Sequence, residues 1–279
     1  MINMIKSDLY RIFRGKAIYI IAALIVLMVT VDVVGMNAGS IGINVGSNTS
    51  MEDEDVEVLQ KIKNAKSLGE YRDVIKSHGA FELDRQIVGL NVNLYYFFIA
   101  VVVAVLCADF SNKCVKNTLS SAITRSKYYF SKLILVMGLV TMLIFFNNYL
   151  AYFLNLAVNG KSFASDFGEF TKVTFMQLPL LYGITSLLVC LAFVLKKTSK
   201  FNTIGIPLIL VIQMVVMGAA NLFKIKADWF YDYEIQFALA KLAGNPTSKY
   251  IVSCICLGMA YIIVFNILGY LSFNKSEIK

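Results

Sequence analysis

Residues 133–158 read LILVMGLVTMLIFFNNYLAYFLNLAV, a run of 26 residues that contains no charged side chain. An α-helix needs roughly 20 residues to cross the ~30 Å hydrocarbon core of a bilayer, so this run is long enough to span a membrane. Its apolar residues follow one another without the alternation that marks a strand of a membrane barrel. The run therefore predicts a transmembrane helix and, with it, an all-α integral membrane protein.

Five further stretches have the same character, and the composition agrees with them. Of the 279 residues, 58% are hydrophobic and 16% are charged, and the mean hydropathy is +0.67. A soluble domain has about 45–50% apolar and about 25% charged residues. So few charges cannot cover a water-facing surface, which argues against a soluble enzyme. The six expected spans cover residues 17–36, 89–108, 133–158, 174–195, 204–223 and 250–273 of a single transmembrane domain, residues 1–279.

The distribution of Lys and Arg predicts the orientation of these spans. The segments 1–16, 109–132, 196–203 and 274–279 share one side of the membrane and together carry 14 basic and three acidic residues. The segments on the other side carry 12 basic and 14 acidic residues. Because basic loops stay in the cytoplasm, we expect both termini there and the long loop at residues 37–88 outside the cell.

The first segment, residues 1–16, predicts an amphipathic helix in the cytoplasmic headgroup layer of the plasma membrane. At about 100° per residue, Ile5, Leu9 and Ile12 share one face of this helix. The polar face, which includes Asp8 and Arg11, is expected to meet membrane lipids. Such a helix either anchors the first span or transmits a push from a cytoplasmic partner, and the sequence leaves both roles open.

Two outer segments are expected to carry short helices. The loop at residues 37–88 has a helix start at Ser50 and a second helical stretch at residues 70–77, and residues 224–249 hold aromatic side chains suited to the outer leaflet. His78 is the single histidine, so a metal site is not expected. The five cysteines lie in spans or on the cytoplasmic side, so a disulfide framework is not expected either.

The sequence offers uncharged polar residues inside the bilayer but no catalytic motif. It contains no P-loop, no HExxH and no GxSxG, so we expect neither an enzyme nor a bound cofactor. Its basic charge indicates orientation and lipid contact, not nucleic-acid binding. On the third span, one helical stripe contains Thr141, Asn148, Tyr152 and Asn155. These side chains either form interhelical hydrogen bonds or line a substrate pathway.

Residues 109–132, between the second and third spans, read DFSNKCVKNTLSSAITRSKYYFSK. This segment resembles the first cytoplasmic loop of type-2 ATP-binding-cassette transporter permeases, in which an acid, a Thr-Leu pair, an Arg, aromatic residues and a Lys follow one another. The resemblance implies that this cytoplasmic coupling loop contacts an ATPase. The residues at the matching positions are Asp109, Thr118, Leu119, Arg125, Tyr128 and Lys132, and Lys127 adds a further cation.

The same resemblance implies a function. The lead helix, the spans and the long outer loop are similar to permeases of Gram-positive bacteria that export antimicrobial peptides or confer bacteriocin and lantibiotic resistance. The resemblance implies nucleotide-binding ATPase subunits that use the ATP, a second permease copy or a related permease, and a peptide, drug or other amphiphile as substrate. Two other functions stay open. One is a non-transporting immunity or receptor protein that binds a peptide with its outer loop, and the other is an ion-coupled carrier, for which only Asp32 lies clearly inside a span.

Overall fold

The computed structural model describes residues 2–37, 83–112, 114–120, 123–161, 164–222, 234–244 and 246–275. Within these ranges the chain forms helices and no strands, in agreement with an all-α membrane protein. The helices are α1 (Ile2–Arg14), α2 (Ala17–Asn37), α3 (Leu83–Gly89), α4 (Asn91–Ser111), α5 (Cys114–Ser120), α6 (Arg125–Asn159), α7 (Phe167–Leu195), α8 (Thr198–Leu222), α9 (Ile235–Ala243) and α10 (Ser248–Lys275).

Five of the described helices are long and apolar enough to cross a membrane: α2, α4, α6, α7 and α10. The expected class, a multi-pass helical membrane protein, is confirmed at this level. Helix α8 coincides with the expected span at residues 204–223 and is 25 residues long. The sixth crossing stays a prediction.

Helix α4 is continuous but not uniform along its length. It opens with a 3₁₀ turn, Asn91–Asn93, continues as α-helix over Leu94–Val102, and then widens into a π-helical segment, Val103–Cys107. A final α-helical turn, Ala108–Ser111, ends the element. Because π segments are rare and concentrate at functional sites, this irregular part of the second span needs an explanation from its surroundings.

The segment expected as a cytoplasmic loop, residues 109–132, is mostly helical. Helix α4 continues to Ser111, α5 follows, and α6 begins at Arg125, eight residues before the expected start of the third span at residue 133. Thr124 has the extended backbone of an N-cap, and its side chain accepts a hydrogen bond from the Lys127 amide. The first turns of α6 are too polar for a hydropathy argument to detect, yet their cap makes them helical.

The outer segments also differ from expectation, because their described parts belong to the packed core. Helix α3 forms the end of the expected extracellular loop at residues 37–88, and its Ile87 and Val88 are buried. The helices expected near Ser50 and at residues 70–77, together with His78, lie outside the described residues. Helix α3 is therefore part of the helical bundle and not of a solvated loop.

Helix α9 is the described part of the segment expected to dip into the outer leaflet. Its first turn is capped by Glu234, whose carboxylate accepts hydrogen bonds from the amides of Gln236 and Phe237 at 2.9 and 3.1 Å. Ala238, Leu239 and Leu242 are buried, because α9 packs against α3 and α7. This helix therefore packs against the bundle, and the dip of its segment into the outer leaflet stays a prediction.

Helices α7 and α10 approach each other until their backbones touch. A Cβ atom added to Gly258 of α10 would lie 2.5 Å from the carbonyl carbon of Pro179 in α7 and 2.6 Å from its oxygen. One turn further along α7, a Cβ on Gly183 would lie 3.0 Å from Cβ of Tyr261. Small residues allow this close approach, which lets van der Waals contact hold helices together inside a membrane.

The outward faces of the terminal spans remain apolar and uncovered. On α10, exposed side chains recur at helical spacing along one face. On α2, a similar face is exposed opposite its buried Ile25 and Val29. Lipid tails cover such faces in a bilayer, so their exposure agrees with a membrane location.

Candidate functional site

Four ionised side chains meet at one end of the bundle, where α1, the last turn of α4 and the first turns of α6 come together. We call this end the basic end, because the segments rich in Lys and Arg, including residues 1–16 and 109–132, lie there. We call the four side chains, Asp8, Arg11, Asp109 and Lys132, the charged ring. Nζ of Lys132 lies 2.6 Å from Oδ2 of Asp8 and 2.5 Å from Oδ2 of Asp109. The guanidinium of Arg11 lies 2.6 Å from Oδ1 of Asp109 and 3.3 Å from Oδ1 of Asp8. Each carboxylate thus contacts both cations.

Helical spacing on three elements brings these groups together. Asp8 and Arg11 are three residues apart on α1, and Tyr128 and Lys132 are four apart on α6, so each pair projects from one helix face. Asp109 comes from the last turn of α4. The ring therefore ties the lead helix to the second and third spans at their basic ends.

Burial makes the pairing inside the ring obligatory. The side chains of Lys132 and Asp109 are only 2% and 4% exposed, and that of Asp8 is 11% exposed. A buried ion that lacks a partner costs several kcal/mol, whereas two cations and two anions in contact leave no net charge. The hydroxyl of Tyr128 donates a further hydrogen bond to Oδ2 of Asp109 at 3.0 Å. The ring is accordingly a neutral, hydrogen-bonded unit.

Arg11 is the member of the ring that reaches solvent. Its side chain is 42% exposed. Burial acts to lower the pKa of Arg11, but the hydrogen bond to Asp109 and the charges of Asp109 and Asp8 outweigh that effect and raise the pKa above its ordinary value. The guanidinium therefore stays protonated and keeps both carboxylates paired.

An aromatic cluster packs beside the ring at the same end of the bundle. The rings of Tyr128 and Phe273 lie 5.7 Å apart between centroids, those of Phe193 and Phe273 4.9 Å apart, and those of Phe110 and Phe193 5.8 Å apart. These side chains come from α4, α6, α7 and α10. Aromatic pairs at such separations add about 0.5–1.5 kcal/mol each beyond the area that they bury. The cluster holds four spanning helices together directly beside the charges.

The residues expected to couple to an ATPase separate into a buried group and a surface group. Asp109, Tyr128 and Lys132 are buried in or beside the ring, so any effect of theirs on a partner is indirect. The sequence interpretation placed Asp8 and Arg11 among lipid headgroups and missed their part in the ring. One signal was available: Asp8 and Asp109 are two of the three acids expected on the cytoplasmic side, where Lys132 opens an apolar helix.

Helix α5 is attached to the bundle by its apolar side. Val115 is buried, and Leu119 packs against the hydrophobic core. Thr118 donates its hydroxyl hydrogen bond to the Cys114 carbonyl within the same helix, at 2.8 Å. The exposed residues of α5 are Lys116, Asn117 and Ser120. The outward face of this helix is therefore offset from the Thr-Leu pair that the sequence singled out.

The two cations at the start of α6 have different environments. The guanidinium of Arg125 donates hydrogen bonds to the carbonyls of Phe273, at 3.3 Å, and Asn274, at the end of α10. A cation at this position satisfies carbonyls that a helix terminus leaves unpaired. Lys127 is exposed. Lys127, and not Arg125, is thus the better placed of the two to meet a partner.

The expected pathway stripe on α6 is hydrogen-bonded to its surroundings. Asn148 is fully buried and donates from Nδ2 to Oγ1 of Thr174 on α7 at 3.2 Å. The hydroxyls of Thr141 and Tyr182 share a hydrogen bond of 2.7 Å, again between α6 and α7. Both contacts are interhelical, as one of the two interpretations of the stripe requires. The other, a lining for substrate, stays a prediction.

The remaining stripe residues lie near the opposite end of the bundle. Tyr152 donates its hydroxyl hydrogen bond to the Ser165 carbonyl at 3.4 Å, and Asn155 accepts one from Nδ2 of Asn159 at 2.8 Å. Further along α7, Gln177 donates from Nε2 to the carbonyls of Val88 and Leu239 at 3.2 and 2.9 Å. This polar region joins α3 and α9 to the spans.

A buried carboxylate also lies at this opposite end. Asp84 of α3 accepts hydrogen bonds from the amide of Ser165 at 3.2 and 3.3 Å and from its hydroxyl at 2.5 Å. Burial raises the pKa of Asp84, and the hydrogen bonds from Ser165 offset only part of that effect. An acid whose pKa is higher in the folded state is destabilising once it ionises, so stability falls as pH rises from the ordinary pKa through the raised one.

Asp84→Asn is expected to remove this pH dependence, because asparagine keeps an acceptor for Ser165 and does not ionise. The thermal unfolding midpoint of the variant in detergent, measured from about pH 4 to about pH 8, should fall less steeply with pH than that of the wild type. Glu234, whose pKa is also raised by burial, should give both proteins the same residual slope. Identical pH profiles for the two proteins would contradict the assignment.

Among the described residues, no group of three or more His, Cys, Asp or Glu side chains is placed to hold a metal ion. At the basic end, the charged residues that the described helices bury are Asp8, Asp109 and Lys132 of the ring. No family model matches the chain, and no curated protein is significantly similar to it.

Proposed function

We propose that the chain is the membrane-spanning subunit of an ATP-driven exporter in the plasma membrane of a Gram-positive bacterium. In this proposal six helices cross the membrane, both termini and the basic end face the cytoplasm, and the substrate is a peptide, a drug or another amphiphile. The chain itself binds no cofactor. Its partners are nucleotide-binding ATPase subunits that use ATP, a second permease copy or a related permease, and the surrounding lipid.

The observation that carries the proposal is the position of α5. This short helix lies between two apolar helices, α4 and α6, at the end of the bundle that is rich in Lys and Arg. Its buried Val115 attaches it to the core, while Lys116 and Asn117 face outward. A surface helix with one span directly before it and one directly after it is suited to receive a movement of a partner protein and to transmit it to both spans.

The charged ring supplies the mechanical connection. Asp109 lies in the last turn of α4, just before α5, and Lys132 lies in the second turn of α6, just after it. Asp109 is bound to Arg11, and Lys132 is bound to Asp8, and both partners belong to α1. A displacement of α5 therefore moves the basic ends of α4, α6 and α1 as one body. Closure of an ATPase pair against α5 would thereby tilt these helices and open the substrate route on the opposite side.

This connection gives a role to the buried residues of the segment 109–132. Asp109, Tyr128 and Lys132 act on the position of the spans, and the exposed cations of α5 and α6 act on the partner. Lys116 and Lys127 would pair with acids on an ATPase surface, which is the arrangement that complementary interfaces favour.

The double variant Lys116→Glu/Lys127→Glu is expected to release the ATPase without unfolding the permease. Reversal of two exposed interface charges opposes acids on the partner and should cost about 2–5 kcal/mol of association. A glutamate at position 127 also suits the first turn of α6, where a helix favours negative charge. The measurement is affinity purification from the native membrane, with the bound nucleotide-binding subunit quantified by mass spectrometry.

Lys200→Glu provides the matched control, since this exposed lysine lies on α8 and loses the same kind of charge. It should retain the ATPase at the wild-type level. If no nucleotide-binding subunit copurifies with the wild type, the ATP-driven function is wrong, and an immunity protein or an ion-coupled carrier takes its place. If the double variant binds as the wild type does, α5 and Lys127 are not the contact surface.

A further inference from the structure

A cleft opens at the basic end between the α1–α2 junction and the π-helical part of α4. It has a volume of about 210 Å³. Ile18 and Ile21 of α2 form one wall, Ala104 and Val105 of the π segment form the other, and Leu139 of α6 closes the floor. Arg11 and Asn112 are the polar side chains at its edge. The cleft is thus apolar inside and polar at one end, where the guanidinium of Arg11 is partly exposed.

The π segment accounts for the existence of this space. A π-helical turn is wider than an α-helical one, and here it places the small side chains of Ala104 and Ala108 along the cleft. At the end of the π segment, Thr198 of α8 donates its hydroxyl hydrogen bond to the Cys107 carbonyl at 3.3 Å. The alanine side chains and the Cys107 carbonyl all belong to α4, the second span.

The shape of the cleft selects a chain over a compact ligand. Sites for drug-sized molecules occupy about 300–1,000 Å³, and this cleft is smaller. Its lining offers hydrogen bonds only at the edge, where Arg11 and Asn112 lie, and it lies beside helices whose outer faces are apolar. A segment of an alkyl chain that enters from the surrounding lipid fills such a space without leaving polar groups unpaired, while the rest of the chain stays in the bilayer.

The exposed guanidinium of Arg11 and the neighbouring cations Arg14 and Lys16 favour an anionic headgroup at the edge of the cleft. Arg11 is 42% exposed, and its guanidinium has five N–H donors, of which the charged ring engages only some. Arg14 and Lys16 are exposed nearby. Asp8 is the only acid of α1, and it is turned into the ring. The exposed surface around the cleft is therefore positive.

We infer that this cleft binds one anionic phospholipid of the adjoining leaflet, with an acyl chain between α2 and the π segment of α4 and the phosphate at Arg11. The lipid would hold the α1–α2 junction against the second span, next to the charged ring. Binding of this kind requires no ATPase partner, so it stands apart from the proposed transport function.

The test compares two lipids on purified, delipidated protein by native mass spectrometry. Palmitoyl-oleoyl phosphatidylglycerol and palmitoyl-oleoyl phosphatidylcholine have the same chains and differ in net charge. The wild type should bind one phosphatidylglycerol molecule about fivefold more tightly than phosphatidylcholine, as expected for one cation near a lipid phosphate. Equal affinities for the two lipids would overturn the inference.

Variants that fill the cleft complete the test. Ala104→Leu and Ala17→Leu project into it from opposite walls and should weaken phosphatidylglycerol binding at least about tenfold by displacing methylene groups. Ala260→Leu adds the same side chain to the exposed face of α10 and should bind as the wild type does. Because Ala17 is exposed, Ala17→Leu is expected to fold, and it tests the site even if Ala104→Leu does not fold. Wild-type affinity in a folded Ala17→Leu protein would refute the site.

Discussion

Lys132→Met is expected to lower the free energy of unfolding by about 3–5 kcal/mol, because it removes one cation from a buried ring and leaves two carboxylates to share Arg11. The side chain of Lys132 is 2% exposed and lies within 2.6 Å of both Asp8 and Asp109. Methionine fills a similar volume without its charge. The measurement is the thermal unfolding midpoint of the purified protein in detergent, together with its yield in the membrane.

Two matched variants separate the ring from a general loss of charge. Lys127→Met removes an exposed lysine from the first turns of the same helix and should change stability by less than about 0.5 kcal/mol. Adding Asp8→Asn to Lys132→Met restores a neutral ring of Arg11 and Asp109, so the double variant should be more stable than Lys132→Met alone. If Lys132→Met and Lys127→Met are equally stable, the ring does not hold these helices together.

Gly258→Ala is expected to lower the free energy of unfolding by about 1–3 kcal/mol through overpacking. A Cβ at this position would lie 2.5 Å from the carbonyl carbon of Pro179 and 2.9 Å from the amide nitrogen of Leu180. These are backbone atoms of a packed helix, so α7 and α10 must move apart to accept the methyl group. The thermal midpoint in detergent measures this effect as well.

Gly138→Ala is the control for the change in residue type. Gly138 lies on α6, and a Cβ there meets no heavy atom within 4 Å. Alanine favours a helix by about 1 kcal/mol over glycine, so this variant should be as stable as the wild type or more stable. A Gly258→Ala protein that is stabilised in the same way would show that the contact between α7 and α10 is looser than the structure indicates.

Hydropathy and charge predicted the class of the fold and the location of most of its helices. The run at residues 133–158 is apolar along its whole length, and such a run has one stable structure in a bilayer. The lead helix was also predictable, because its apolar residues recur at helical spacing over Ile2–Arg14. Both signals are local, so a single sequence contains them.

The partners within the site could not be predicted from local signals. A helical wheel places Asp8 on the polar face of α1, and only the position of Lys132, 124 residues away, turns it inward. The same holds for α3 and α9, which are too short to register as apolar runs and are buried by packing against each other and against α7, where Gln177 binds carbonyls of both. Burial of short helices depends on the tertiary arrangement, which propensity does not encode.

The long sequence separations within the charged ring also set an order of events during synthesis. A ribosome makes α1 first, yet Arg11 must wait for Asp109, 98 residues later, and Asp8 for Lys132, 124 residues later. Chains emerge at about 5–20 residues per second, so the charges of the lead helix wait seconds for their partners. The ring closes only when the third span has been inserted beside the first two. Closure of the ring therefore requires all three helices, and a chain in which one of them is missing or inverted would keep an unneutralised charge.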